Sequence, residues 1–158
     1  MLKISLEDKK YPKKLKSIKN PPKQLYLEGN IDLLNENIIS IIGSRNATQN
    51  GKMLAQKFAK ELVEQNIVVA SGMAIGIDSS AHIGTLKQNG KTIAVLGCGF
   101  NNIFPEENIY LYKKILRNDG LIISEYPPDT IANSKLFLER NRIVSRNSNR
   151  NFGYRSCI

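Results

Sequence analysis

The 158-residue chain has no tryptophan, one histidine and two cysteines. Cys98 and Cys157 make neither a disulfide framework nor a metal-ligand spacing, which argues against a stapled secreted module and against a zinc module. No apolar run approaches the ~20 residues that span a bilayer. The opening Met1-Leu2-Lys3-Ile4-Ser5 lacks the long apolar segment of a secretion signal. A soluble protein of the reducing cytoplasm is therefore expected, with no membrane, metal or cofactor. A Gly-Lys-Ser/Thr phosphate loop is also missing, which disfavours P-loop hydrolysis. The dinucleotide fingerprint G-x-G-x-x-G is incomplete. Gly43-Ser44-Arg45 does not match it, Ser71-Gly72 brings no ribose-binding carboxylate, and Gly97-Cys98-Gly99-Phe100-Asn101-Asn102 keeps two glycines of three.

What is present in excess is positive charge, a net +9. Residues 1–23 hold eight lysines against Glu7 and Asp8, and residues 135–158 hold one lysine and five arginines against Glu139. The stretch between them is slightly acidic. Basic ends on a near-neutral middle suit a polyanionic partner, although a lysine-rich solvated surface has the same composition.

Apolar runs alternate with helical patterns. Asn37-Ile38-Ile39-Ser40-Ile41-Ile42, Ile67-Val68-Val69-Ala70, Thr92-Ile93-Ala94-Val95-Leu96 and Leu121-Ile122-Ile123-Ser124 read as buried strands. Between them a helix is expected to Gln65, with Leu54, Phe58, Leu62 and Val63 on one stripe, another after Gly76, and a third from Glu107 to Asn118. This order specifies parallel βαβ units and an α/β fold, a doubly wound and mostly parallel sheet. Residues 1–30 read as a basic lead-in packed on the core, residues 31–145 as the core, and residues 146–158 as an aperiodic tail foreign to it. A sheet of this kind continues with another buried strand, so the fold reads as incomplete at its C-terminus and the chain as a fragment.

Glycine or serine turns at Gly43, Gly72 and Gly97 fall at strand carboxyl ends, the edge where such sheets bind ligands. Ser71-Gly72-Met73-Ala74-Ile75-Gly76-Ile77-Asp78 turns sharply from strand to helix, and free N–H groups there would receive a phosphate. Arg45 on the first turn is suited to phosphate oxygens, or to a surface acid. Asp78 and His82 are four residues apart on one helical face. With no evident nucleophile they read as shaping the pocket rather than as an acid–base pair. In Lys135-Leu136-Phe137-Leu138-Glu139-Arg140-Asn141-Arg142 an aromatic face lies among cations, the combination that holds single strands. A helix burying Leu136, Phe137 and Ile143 fits the same letters, and Asn141 suits either a backbone tie or a ligand contact.

Together these segments resemble the DNA-processing family known as DprA or Smf. The resemblance runs from about residue 10 to 145. It takes in Tyr11-Pro12, Pro21-Pro22, Leu25-Tyr26-Leu27-Glu28-Gly29, Gly43-Ser44-Arg45, the Ser71–Asp78 turn with Ala81-His82, and Gly90-Lys91-Thr92-Ile93-Ala94-Val95-Leu96-Gly97. Phe104-Pro105, Ser124-Glu125-Tyr126-Pro127 and Phe137 with Arg140-Asn141-Arg142-Ile143 complete it. It implies a Rossmann-like domain that binds single-stranded DNA without regard to sequence, acts in natural transformation, and delivers the strand to the RecA recombinase, usually as a homodimer. It also implies that Arg45 and Lys135 hold phosphates, that Phe137 stacks on a base, and that Gly43, Ser44, Gly72 and Gly76 form a backbone pocket. Asp78, His82, Arg140, Asn141 and Arg142 belong to the same motif set. The family's further strand, Ser-Gly turn and Pro-Gly segment are absent. Two other readings are a nucleotide phosphoribohydrolase of the lysine-decarboxylase-like group, whose Pro-Gly-Gly-x-Gly-Thr turn is missing here, and a non-catalytic nucleotide-binding module.

Overall fold

Alternate side chains of each buried strand point to opposite faces of a sheet, and both faces here are apolar. In the fifth strand Ile93 and Val95 join one core while Ala94 and Leu96 join the other. The computed structural model describes residues 1–147 and 150–153. In chain order the elements are β1 (Leu2–Ser5), α1 (Lys13–Lys16), β2 (Gln24–Gly29), β3 (Ile38–Ile42), α2 (Gln49–Glu64), β4 (Val68–Ser71), α3 (Ile77–Lys87), β5 (Thr92–Leu96), α4 (Ile109–Arg117), β6 (Leu121–Ser124), α5 (Ser134–Asn147) and β7 (Arg150–Gly153).

The strands form one sheet in the order β1-β2-β6-β5-β4-β3-β7. From β6 to β7 all neighbours are parallel, while β2 runs against both β6 and β1. Helices cover both faces, so the doubly wound, mostly parallel α/β architecture expected from the strand–helix alternation is the one found. Leu15 of α1 and Ile143 and Val144 of α5 pack on the face carrying Ile38, Val68, Ala70, Ile93, Val95, Leu121 and Ile123. Residues of α2, α3 and α4 cover the opposite face. The lead-in of residues 1–30 supplies β1 and β2, which extend the same sheet at one edge.

Two expectations need correction. The stripe Leu54, Phe58, Leu62 and Val63 is only partly turned to the core: Leu62 packs against it, but Phe58 is 44% exposed, and the buried residues of α2 are Ala55 and Ala59. The reason is close helix packing. A Cβ on Gly84 of α3 would stand 2.6 Å from Gln56 Cα, so α2 approaches through its smallest side chains. The second concerns the tail. Arg150–Gly153, expected to lie outside the fold, pair in parallel with β3 from Ile39 to Ile42. Edge pairing is made by backbone groups and needs no apolar pattern, so periodicity gives no sign of it. Residues 148–149 and 154–158 of that tail, Cys157 among them, lie outside the described residues.

The order of strands also locates a site. From β3 to β6 each strand is laid beside its predecessor, and α5 then carries the chain back across the sheet to the far side of β3. Strand order reverses at β3, and open α/β sheets bind ligands beyond the carboxyl ends of the strands at such a reversal.

Candidate nucleic-acid interface

Beyond the end of β3, beneath α5, lies an open cleft of about 580 Å³. Its wall from β3 consists of Ile42, Gly43 and Arg45; Ala74 and Asp78 come from the turn after β4 and from α3. The α5 wall consists of Ser134, Phe137, Leu138, Arg140, Asn141 and Val144. Ser134, Phe137, Leu138, Asn141 and Val144 follow i, i+3, i+4, i+7 and i+10 spacing, one face of a helix. That face mixes an apolar floor with polar tips, a lining suited to a base, a sugar and its phosphate.

Arg45 is exposed and its guanidinium carbon lies 5.0 Å from the Phe137 ring centroid. This is a cation–π arrangement in which ring and charge are presented side by side. The Phe104 ring lies tilted against Phe137 at 5.7 Å between centroids, and the Arg140 guanidinium carbon lies at 6.0 Å. Asn141 is exposed at the cleft, with its Oδ1 accepting from Arg140 Nε at 3.3 Å.

Arg140 is only 3% exposed, and its Nη1 donates to the carbonyls of Gly72 and Val95. It is a strut tying α5 to the ends of β4 and β5. Burial pulls its pKa below the ordinary guanidinium value, while Asp78 pushes it back. Asp78, 6% exposed, accepts the Gly72 N–H at 3.1 Å, and the N–H groups of Gly43 and Ala74 are directed at the same carboxylate. Burial raises its pKa, against the pull of Arg140 and these N–H groups.

The turn from Gly72 to Gly76 is therefore not an empty anion receptor as expected. Two of its donors, the N–H groups of Gly72 and Ala74, are turned onto Asp78. At the start of α3 the Ile77 N–H goes to the Ser44 carbonyl at 3.2 Å, the Ser79 N–H to the Ala74 carbonyl at 3.0 Å and the Ser80 N–H to the Gly76 carbonyl at 3.1 Å. Gly76, at φ +92°, holds the turn against the Ser44 and Arg45 carbonyls, where no Cβ fits. Ser44 Oγ accepts the Asn46 N–H at 3.1 Å and shapes the Arg45 turn.

His82 is fully buried, and its Nδ1 lies 2.7 Å from Thr92 Oγ1. The Thr92 hydroxyl donates to the Val69 carbonyl at 2.7 Å, so His82 Nδ1 carries the proton and donates to Thr92. Its Nε2 has no hydrogen-bond partner among the described residues. Burial, with Arg140 adding to it, depresses its pKa to about 3, so the ring is neutral.

Of the residues singled out from the sequence, the structure gathers Gly43, Arg45, Asp78, Phe137, Arg140 and Asn141 at the cleft. It does not bring Arg142 there. Arg142 makes a two-bond pair with Glu125 at 2.6 and 2.8 Å and donates to the Asn20 carbonyl at 3.0 Å, tying α5 to the lead-in. Lys135 lies at the start of α5, its side chain 82% exposed and loosely paired with Glu139 at 3.9 Å. Ile42, Ser134, Leu138, Val144 and the neighbouring Phe104 were not singled out; the helical spacing of residues 134–144 was the signal for three of them.

The model of the family described as DNA recombination-mediator protein A matches residues 3–151. The chain is 38% identical over 143 residues to DNA processing protein DprA of Bacillus subtilis, covering 90% of this chain and 48% of that protein. It is 38% identical over 142 residues to DprA of Streptococcus pneumoniae, covering 90% of this chain and 50% of that one. The X-ray structure of the latter superposes with a TM-score of 0.90 at 35% identity, over 96% of this chain and 53% of that chain. DNA processing protein A from Helicobacter pylori, whose structure was described for its single-stranded DNA binding mode, superposes with a TM-score of 0.85 at 33% identity. That match covers 97% of this chain and 69% of the Helicobacter chain. The chain thus spans about half the length of the curated relatives it matches. On sequence and Rossmann-like fold alike, it belongs to the DNA recombination-mediator protein A family, the DprA/Smf proteins.

Proposed function

We propose that this chain binds single-stranded DNA without sequence preference, as part of DNA processing in natural transformation, with no covalent step of its own. Arg45 contacts a phosphate, Phe137 stacks on a base, and Asn141 and Lys135 contact the strand on either side. The observation that carries this reading is the Arg45–Phe137 pair, 5.0 Å apart in an open cleft at the reversal of strand order. Stacking with an adjacent cation holds single strands because every base has a π-face and every nucleotide a phosphate. The Helicobacter pylori relative, described for its single-stranded DNA binding mode, supports the ligand class. Delivery of the strand to RecA and pairing into a homodimer complete the proposal at the scale of the family's longer proteins. Asp78 and His82 are both committed to buried interactions, which favours a binding role over hydrolysis.

Titration of labelled oligo-dT at several salt concentrations tests the reading. The observed binding constant falls linearly with salt on logarithmic axes. A salt-insensitive constant, or release of free base from a nucleoside monophosphate, overturns it.

A further inference from the structure

Nucleotide-binding α/β proteins commonly seat a terminal phosphate where a strand turns into a helix, on converging backbone N–H groups. In this chain that position is occupied from within. The N–H groups of Gly43, Gly72 and Ala74 converge on the Asp78 carboxylate, and the Arg140 guanidinium flanks it. A Cβ on Gly72 would lie 2.5 Å from both Asp78 Oδ2 and Arg140 Nη1, so carboxylate and guanidinium meet over the same glycine. Neither side chain is free to swing out, at 6% and 3% exposure.

We infer that Asp78 is a built-in occupant of the anion position, and that it makes the cleft select a DNA strand over inorganic phosphate or a mononucleotide. The selection of a strand rests on the DNA-binding reading; the occupancy of the anion position does not. A phosphate monoester carries a charge of about −1.5 to −2 and needs several donors at once. Here it meets the Asp78 carboxyl group already seated on those donors beside Arg140. A phosphodiester within a strand needs less: it is held outside by Arg45, while neighbouring bases add stacking on Phe137. A lone phosphate thus has only the exposed Arg45 to hold it and a mononucleotide one base and one phosphate, whereas a strand engages successive bases and phosphates at once.

The test compares the parent chain with Asp78→Ala, reading thermal melting and phosphorus-31 line broadening with inorganic phosphate and with thymidine 5′-monophosphate. The parent is expected to show no saturable response. Asp78→Ala, which leaves three N–H donors and the Arg140 guanidinium facing a vacated carboxylate position, is expected to bind phosphate at least about tenfold more tightly than the parent. Should the variant be unfolded in chloride, phosphate is expected to restore its folding by binding the native state; a variant unfolded in both buffers overturns the inference. The double variant Asp78→Ala/Arg140→Leu is expected to lose the gain. Equal phosphate affinity in parent and Asp78→Ala, or a gain that survives in the double variant, overturns it as well. Oligo-dT binding by the parent chain, measured alongside, reports on the DNA-binding reading alone.

Discussion

Phe137 and Arg45 contribute different kinds of free energy, and their variants separate them. Phe137→Ala is expected to weaken oligo-dT binding by about 1–3 kcal/mol, roughly 5- to 150-fold, with the salt slope unchanged, because stacking releases no counterions. Arg45→Ala is expected to reduce the slope of log K against log salt by about 0.7, the loss of one phosphate contact to a single strand. Fluorescence anisotropy across a salt series reads both. Arg142→Ala divides the motif differently. Its guanidinium is held by Glu125 at 2.6 and 2.8 Å. Urea unfolding is therefore expected to show a stability loss of roughly 1–3 kcal/mol while oligo-dT affinity stays within about twofold. His82 gives a pH signature. Its pKa is about 3 in the folded chain because of burial, below the ordinary 6.5. The unfolded chain therefore takes up the proton first. Stability from this residue is complete above pH 6.5 and drains as pH falls from there towards 3, with a slope of up to about 1.4 kcal/mol per pH unit. Urea unfolding at stepwise lower pH should show this slope, and His82→Asn should flatten it.

At the scale of elements, the pairing of α2 with α3 depends on the absence of a side chain at one position. A Cβ at Gly84 would lie 2.6 Å from both the Cα and the carbonyl oxygen of Gln56. Gly84→Ala is expected to push the helices apart at a cost of roughly 1–3 kcal/mol, read as a lower urea midpoint. Because α3 carries Asp78 and abuts the Arg45 turn, weakened oligo-dT binding is expected to accompany it. The strands were legible because residues such as Ile93 to Leu96 are apolar on both sides, a pattern that only a doubly covered sheet tolerates. The face of α2 was only partly legible: Leu62 does pack on the core, but Phe58 is more apolar than Ala55 and Ala59 and yet exposed, and hydrophobicity alone cannot register how closely a neighbouring backbone approaches. On α5 the cations drew attention to Lys135, Arg140 and Arg142, whereas the 3.6-residue period selects Ser134, Phe137, Leu138, Asn141 and Val144.

Across the whole molecule, the net charge of +9 acts at a distance that no single contact reaches. Lys9, Lys10, Lys13 and Lys14 border a second groove of about 570 Å³ lined also by Leu2, Ile31 and Leu34, and none of these residues lines the Arg45–Phe137 cleft. Replacing these four lysines with glutamine is expected to slow association with oligo-dT at low ionic strength while leaving dissociation unchanged. The difference should fade as salt shortens the screening length to a few ångströms. Stopped-flow binding at two salt concentrations reads it.

The amino-acid order by itself determined the α/β alternation, the turns at the carboxyl ends of the strands and the basic ends, because those follow from local periodicity and composition. Which chemistry those turns perform was decided in three dimensions. Only the return of α5 across the sheet sets Phe137 beside Arg45, and only the close approach of the β3 and β4 turns puts Asp78 on the N–H groups reserved, by sequence, for a phosphate. Hydrogen-bond donors are visible in a sequence, but their partners are set by which segments fold against one another.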